Sequence, residues 1–471
     1  MKIEDNKTLT ENEALTFKST TSKVLDLFSM GGALRTRTPK EIEKKISLAL
    51  ADDKLLAIKC LFYIRDCRGG QGERRTFREA LKILSTYHPK ETEKLLELIP
   101  EYGRWDDLLY LDKVDISEVL ANQIKKDIKS KTPTLLAKWL PSENAGAKSK
   151  ELARKVRKYL GYSSKKYRKL LTSLRAKIKT VESFMSRGQW KEINYESVPS
   201  KAAMIYKDAF KKHDEKGYEK YLKAVEKGKK KINTTTLFPY ELVRRARTQD
   251  DKTLDLMWAN LPNYARADDK GLVVADVSGS MAGLPLDISV SLALYFAERN
   301  KGPFKDKFIT FSEKPELQEV TGKTLNQKIR NLQNAHWDMN TNVQAVFDLI
   351  LDTAIDGKVK EADMPKTIYI ISDMEFDSAN GNDKTNFEVI KQKYSEAGYK
   401  MPTLCFWNCD SRQDNVPVTQ DEKGVVLVSG SSPTTFKCLM EKKTPYEFMV
   451  SVLNAKRYAP TEKALKALKG K

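Results

Sequence analysis

Gly271-Leu-Val-Val-Ala-Asp-Val-Ser-Gly-Ser280 is the stretch whose reading decides the fold. Its first five residues are a short apolar run without alternation, the pattern of a strand buried on both faces of a parallel sheet. Polar residues then follow at once as Asp276-Val-Ser278-Gly-Ser280, so side-chain oxygens cluster where the strand stops. The alternating Asp, Ser and Ser project to one side of the turn, and Gly279 lets the backbone approach closely. Toward the C-terminus the pattern repeats. An amphipathic helix is expected over 284–299, a strand at Lys307-Phe-Ile-Thr-Phe311, a helix over 343–354 and a strand at Thr367-Ile-Tyr-Ile-Ile371. A helix over 386–397 and strands at Pro402-Thr-Leu-Cys-Phe-Trp407 and Gly424-Val-Val-Leu-Val428 follow, with helices near 434–440 and 446–453. Strand and helix in alternation predict a doubly wound sheet that binds ligands at the C-terminal ends of its strands.

Two further polar groups fall at such ends: Asn340-Thr341-Asn342, and Ser372-Asp373 after the strand ending at Ile371. Oxygen donors with few carboxylates and no sulfur or imidazole suit a hard octahedral cation, Mg²⁺ or Mn²⁺. Thr310, Thr321 and Thr324 share the region with Thr341, and Glu375 and Asp377 lie close to Asp373. The arrangement resembles the von Willebrand factor A domain and its metal-ion-dependent adhesion site. That family's Asp-x-Ser-x-Ser, distant Thr and distant Asp are matched by Asp276, Ser278, Ser280, Thr341 and Asp373. The resemblance implies a metal held by these five residues, with an acidic group of a partner protein completing the coordination.

Upstream, the chain reads as successive helices. Thr38-Pro-Lys-Glu41 offers an N-cap, a proline at the first helical position and a glutamate at the third. Ile42, Ile46 and Leu50 then share a face. Helices are expected over 53–66 and 75–86, separated by the turn Arg68-Gly-Gly-Gln-Gly-Glu73, with another starting at His88-Pro-Lys and one opened by Gly103-Arg-Trp-Asp106. Tyr167, Leu170, Leu171, Leu174 and Ile178 form an apolar stripe at helical spacing, while Arg168, Lys169 and Arg175 lie on or beside the opposite face. Helix pairs on short loops, with no strand for over two hundred residues and no strict period, predict a degenerate α-solenoid.

Charge is segregated along the chain. Residues 121–250 hold 34 Lys and Arg against 13 Asp and Glu, a surplus that accounts for the whole net charge of +20. A polyanionic partner is implied, nucleic acid before an anionic membrane. Tyr63-Ile-Arg-Asp-Cys-Arg-Gly-Gly-Gln-Gly-Glu-Arg-Arg-Thr-Phe-Arg78, Gly103-Arg-Trp-Asp-Asp107 and Ser372-Asp-Met-Glu-Phe-Asp377 resemble stretches of TROVE-like proteins of plants, fungi and phages. These are relatives of the Ro autoantigen, a ring of helical repeats joined to a von Willebrand A domain. The resemblance implies a HEAT-like helical-repeat RNA-binding domain over 1–265 and an α/β doubly wound A-type domain over 266–471. It also implies RNA contacts, to single-stranded ends or small structured RNAs, through Arg65, Arg68, Arg74, Arg75 and Arg78 and the basic helices bearing Arg168, Lys169 and Arg175. The competing reading of 65–78 is a charged corner whose acids neutralise its arginines internally.

Several classes are disfavoured. No run approaches the ~20 apolar residues of a membrane span, and the N-terminus lacks a secretory core, so a soluble, cytoplasmic protein is expected. Five cysteines without a Cys-x-x-Cys pair read as reduced thiols. Three histidines and no phosphate-binding Gly-rich loop leave little for imidazole, zinc or nucleotide chemistry. A nuclease built on Asp373, Glu375 and Asp377 is disfavoured, because two-metal hydrolysis wants several bridging carboxylates. The expected protein is therefore not an enzyme. The rival expectation is a metal-dependent protein-interaction scaffold without an RNA role.

Overall fold

The computed structural model describes residues 4–265, 270–311, 315–333, 341–378, 384–437 and 443–467. Arg266, Asn340, His336, Cys438 and the end of the 434–440 helix lie outside the described residues. Six strands form one sheet: β3 (Gly271–Ala275), β4 (Lys307–Thr310), β5 (Leu317–Glu319), β6 (Thr367–Ser372), β7 (Thr403–Asn408) and β8 (Val425–Ser429). Their order is β5-β4-β3-β6-β7-β8, parallel throughout except for the antiparallel edge strand β5. The doubly wound expectation holds, and β5 is an addition to it. Leu-Gln-Glu carries no apolar run, because an edge strand of three residues has only its backbone to contribute.

Side chains alternate across the sheet, and the two faces are covered differently. Leu272, Val274, Ile368, Ile370, Leu404 and Phe406 pack under the helices Val343–Asp356 and Asn386–Glu396. Val273, Ala275, Tyr369, Ile371, Cys405 and Trp407 face the other way, into a cluster continuous with the core of the helical half. The Leu284–Arg299 helix lies on that face, buried along most of its length because the Pro239–Ala246 helix packs on its outer side. Beside it the N-terminal helix Lys23–Met30 packs on β8.

The first half is helical as expected. Thr38 caps the helix Pro39–Asp52 in a reciprocal capping box with Glu41, and Asp53 caps Lys54–Arg65. Two short strands, β1 (Lys7–Leu9) and β2 (Leu15–Phe17), pair antiparallel ahead of these helices. Strands of three residues are too short for a period of two to show, which is why the sequence gives no sign of them.

The Arg65–Arg78 corner joins the two halves. Gln71 Nε2 and the Gly32 N–H both donate to the buried Ser429 Oγ, at 3.0 and 3.1 Å. A Cβ on Gly32 would approach the Gly430 backbone to 2.9 Å, so glycine is what allows the two chains to meet. Asp66, wholly buried, accepts from Arg457 Nε and from Arg457 Nη2 at 2.7 Å, from the Tyr458 hydroxyl at 3.2 Å and from the Arg68 N–H at 3.0 Å. Phe28, Tyr63, Tyr102, Tyr458 and Phe448 pack ring on ring around it.

Removing one member of a buried charge pair leaves the other desolvated and unpaired. Asp66→Ala is therefore expected to lower the unfolding free energy by about 3 kcal/mol in urea denaturation. Arg74→Ala, at an exposed side chain, should change it by about 0.5 kcal/mol or less. A loss at Asp66 as small as that at Arg74 would show that the carboxylate does not hold the joint.

Candidate functional site

The strand ends gather most of the expected oxygen donors. Asp276 follows β3 and is fully buried; Oδ1 accepts from the Ser278 N–H at 2.9 Å and Oδ2 from Ser372 Oγ at 2.6 Å. Ser278 and Ser280 lie on the same turn with their hydroxyl oxygens 3.0 Å apart, Ser278 buried and Ser280 exposed. Asp373, buried at the end of β6, accepts from the Glu375 N–H at 3.2 Å. Burial, and then the neighbouring charge of Asp373, pushes the Asp276 carboxyl up to about 6, against the hydrogen bonds from Ser372 and Ser278. Two buried carboxylates that repel each other beside two converging hydroxyls are a donor set that fits a hard divalent cation. Asp276, Ser278, Ser280 and Asp373 are the residues that would hold one.

Thr341 sits at the same edge with its hydroxyl engaged elsewhere. It accepts from Asn12 Nδ2 at 3.0 Å and lies 3.0 Å from Asp377 Oδ1 and 3.3 Å from the Glu375 carbonyl. Thr310, an alternative in the sequence, is buried within β4. Glu375 and Asp377 are spent on the loops. Glu375 accepts from the Glu11 N–H at 2.7 Å and Asn415 Nδ2 at 2.8 Å, and Asp377 accepts from the Thr341 N–H at 2.8 Å.

Sequence reasoning missed Arg412, on the loop after β7. Its Nη2 and Nε lie 2.8 and 3.2 Å from Asp373 Oδ2. Burial works against its charge, but Asp373, with Glu11 behind it, more than offsets that and raises the arginine above its ordinary value. Nothing local in Cys-Asp-Ser-Arg412 marks it. Its only signal is topological, since loops after adjacent parallel strands meet at one end of the sheet.

The basic candidates divide into two groups. Arg65 is buried and bonded through Nε to Asp107 at 2.8 Å. Arg78 bonds Asp107 and Asp106, each at 2.7 Å, and Arg75 donates to the Leu34 and Arg35 carbonyls. Arg175 spends its guanidinium on the Ala137 and Leu140 carbonyls and Ser142. The expectation of RNA contacts at these four meets side chains occupied within the protein. The internal-neutralisation reading of the corner describes Arg65 and Arg78 better, although their partners are Asp106 and Asp107. Arg68 is exposed, with Nη1 on the Glu101 carbonyl at 2.9 Å, and Arg74 is exposed. Arg168 and Lys169 are also exposed, and neither they nor Arg74 enter an ion pair among the described residues. Trp105 packs against the core and Arg104 covers Trp139, 4.1 Å from its ring centroid.

More exposed cations line the neighbouring helices. Lys150, Arg154 and Lys158 recur every four residues on Ala147–Leu160, one stripe of one helix. Lys165 and Lys169 repeat the spacing on Ser164–Ile178. Among the described residues none of these five lies in an ion pair. Like charges at this spacing destabilise a helix by about 0.2–0.5 kcal/mol per pair unless an anion screens them.

Two family models match in tandem, Domain of unknown function (DUF2828) over residues 10–134 and 115–271 and Domain of unknown function (DUF7788) over 270–466. The chain belongs to the DUF2828 family. Within reach of this family, the chain is 30% identical to "Uncharacterized protein L728" of Acanthamoeba polyphaga mimivirus, across 95% of this chain and 87% of that one. Among solved structures the Deinococcus radiodurans RO (RSR) protein aligns over 88% of this chain and 92% of its own at 15% identity, with a TM-score of 0.30. That likeness is too low to carry any feature across. Among the described residues, no helix of this DUF2828 member is long and apolar enough to cross a membrane. Cys60 and Cys409 are buried free thiols, Cys67 is a half-buried one, and Cys405 is buried in β7.

Asp276 gives the site a pH signature. With a folded value of about 6 against an ordinary 3.8, the native chain keeps a proton that the unfolded chain releases. Stability contributed by this group is therefore lost as pH rises from about 4 to about 6. Asp276→Asn is expected to flatten that part of the profile in thermal melts without added metal. Parallel profiles for the two proteins would show that Asp276 stays ionised throughout.

Proposed function

We propose that this protein binds RNA without catalysing a reaction, holding the phosphate backbone on the exposed basic helices of residues 121–250. A divalent cation at Asp276, Ser278, Ser280 and Asp373, Mg²⁺ or Mn²⁺, would equip the C-terminal half to recruit a partner bearing an acidic group. The observation that carries the RNA reading is the stripe of Lys150, Arg154 and Lys158, joined by Lys165, Arg168 and Lys169: exposed cations that lie in no ion pair among the described residues. A surface of this kind is matched by a polyanion, which gains counterion-release free energy on binding. The motif resemblance to TROVE-like proteins supports RNA as that polyanion. Arg68 and Arg74 extend the same chemistry to the corner between the halves.

Two features support binding over hydrolysis. The cage is rich in hydroxyls, and Glu375 and Asp377, the carboxylates a two-metal nuclease would draw on, are committed to the hairpin and loop contacts. When bound, the cation would neutralise the paired carboxylates and offer positive charge to a partner's acid. Asp276 and Asp373 would supply the charge that holds it, and Ser278 and Ser280 neutral oxygens that orient it.

Filter binding of single-stranded RNA across a salt series tests the RNA reading. The triple variant Lys150→Ala, Arg154→Ala, Lys158→Ala should bind more weakly and flatten the log–log salt slope by about 2, near 0.7 per lost phosphate contact on a single strand. Wild-type binding no tighter than that of a neutral control protein at low salt would sink the proposal.

A further inference from the structure

The turn between β1 and β2 lies against the loops that follow β6 and β7, beside the Asp373 side of the candidate metal centre. Thr10 Oγ1 donates to the Phe376 carbonyl at 2.7 Å, and the Glu11 N–H to Glu375 Oε2 at 2.7 Å. Asn12 Nδ2 donates both to Thr341 Oγ1 at 3.0 Å and to the Glu375 carbonyl at 2.8 Å. Glu13 bridges to Asp377 and Phe17 to Val416. Glu13 holds φ at +65°, a left-handed conformation that a glutamate adopts only when its surroundings impose it. The hairpin is therefore fastened by specific contacts at its tip and at its base.

A line of charge crosses the same place. Arg412 Nη2 lies 2.8 Å from Asp373 Oδ2 and 2.8 Å from Glu11 Oε2, so one guanidinium is shared between the two carboxylates. Gln413 Nε2 holds the other Glu11 oxygen at 2.9 Å. Cage carboxylate, cation, incoming carboxylate: this is the order in which a metal would connect Asp373 to an acidic partner. We propose that Arg412 and Glu11 are the chain's own substitutes for the metal ion and its acidic ligand, and that the N-terminal hairpin keeps the centre closed until it is displaced. The inference rests on the metal centre of the preceding section and adds its regulation.

Electrostatics makes the two states exclusive. A divalent ion on Asp373 would share that carboxylate with the Arg412 guanidinium, and like charges on one buried carboxylate repel. Thr341 has the same choice to make. Its hydroxyl accepts from Asn12 at 3.0 Å and lies 3.0 Å from Asp377 Oδ1, so the hairpin holds it turned toward the loops rather than toward the cage. Glu11 thus keeps Arg412 on the cage carboxylate and Asn12 keeps Thr341 away from it, both from one turn.

Manganese(II) titration followed by electron paramagnetic resonance, on the full chain, tests this together with amide hydrogen exchange over residues 7–17. The proteins are wild type, Arg412→Gln and the double variant Glu11→Gln, Asn12→Ala, with Asp276→Asn as the site control. Arg412→Gln and the double variant are each expected to bind Mn²⁺ at least tenfold more tightly than wild type and to exchange at residues 10–14 at least tenfold faster. Asp276→Asn should lose the ion. Equal Mn²⁺ affinity in wild type and both variants, with hairpin protection unmoved, would overturn the closed-hairpin proposal and leave the metal centre standing. Absence of Mn²⁺ binding from every protein, the opened variants included, would overturn the metal centre and this proposal with it.

Discussion

Asp66 is the point to which the architecture returns. A carboxylate with no exposure costs free energy unless charged donors surround it, and two of its three partner residues, Arg457 and Tyr458, come from the far end of the chain. Its requirement for partners fixes the C-terminal helices against Lys54–Arg65, and the ring cluster of Tyr63, Tyr102 and Tyr458 excludes water from the contact. Once that joint is closed, Gln71 and Gly32 stand at Ser429, at the end of the last strand. The motif with the highest density of arginines is thereby a joint first, and only Arg68 and Arg74 within it remain open to a ligand.

A shortage of positive charge governs the other end of the sheet in the same way. Asp276 and Asp373 are buried side by side after neighbouring parallel strands, so the fold creates a demand for a cation there. One answer is already within the chain, Arg412, and it carries Glu11 and the N-terminal hairpin with it. A partly buried ion pair and a metal cage are alternative ways of meeting one electrostatic need, and under the proposal above they would compete at this edge.

The middle segment has the opposite imbalance, in the open. Cations spaced every four residues repel along a helix, a cost tolerated because solvent screens it and removed when a polyanion arrives. Paired lysines such as Lys207, bonded to Asp251 at 3.1 Å, belong to the framework, whereas Lys150, Arg154 and Lys158 are exposed and lie in no ion pair among the described residues.

By itself, the sequence determined the alternation of strand and helix after residue 270, because strands buried on both faces must be apolar throughout. Capped amphipathic helices before it were legible for a similar reason, since propensity and period act within a dozen residues. It also determined Asp276, Ser278 and Ser280 as one cluster, for three residues on one turn have little choice of neighbour. Only the tertiary structure decided which arginines are free: Arg65 and Arg74 look alike in sequence, but one meets Asp107 across 42 positions and the other meets solvent. It alone brought Glu11, Asn12 and Arg412 to the strand ends beside Asp373, and laid the Lys23–Met30 helix on the second face of the sheet. Contacts between residues some four hundred positions apart leave no local period or propensity, and they are set by which buried charges and apolar faces remain to be satisfied once the local elements have formed.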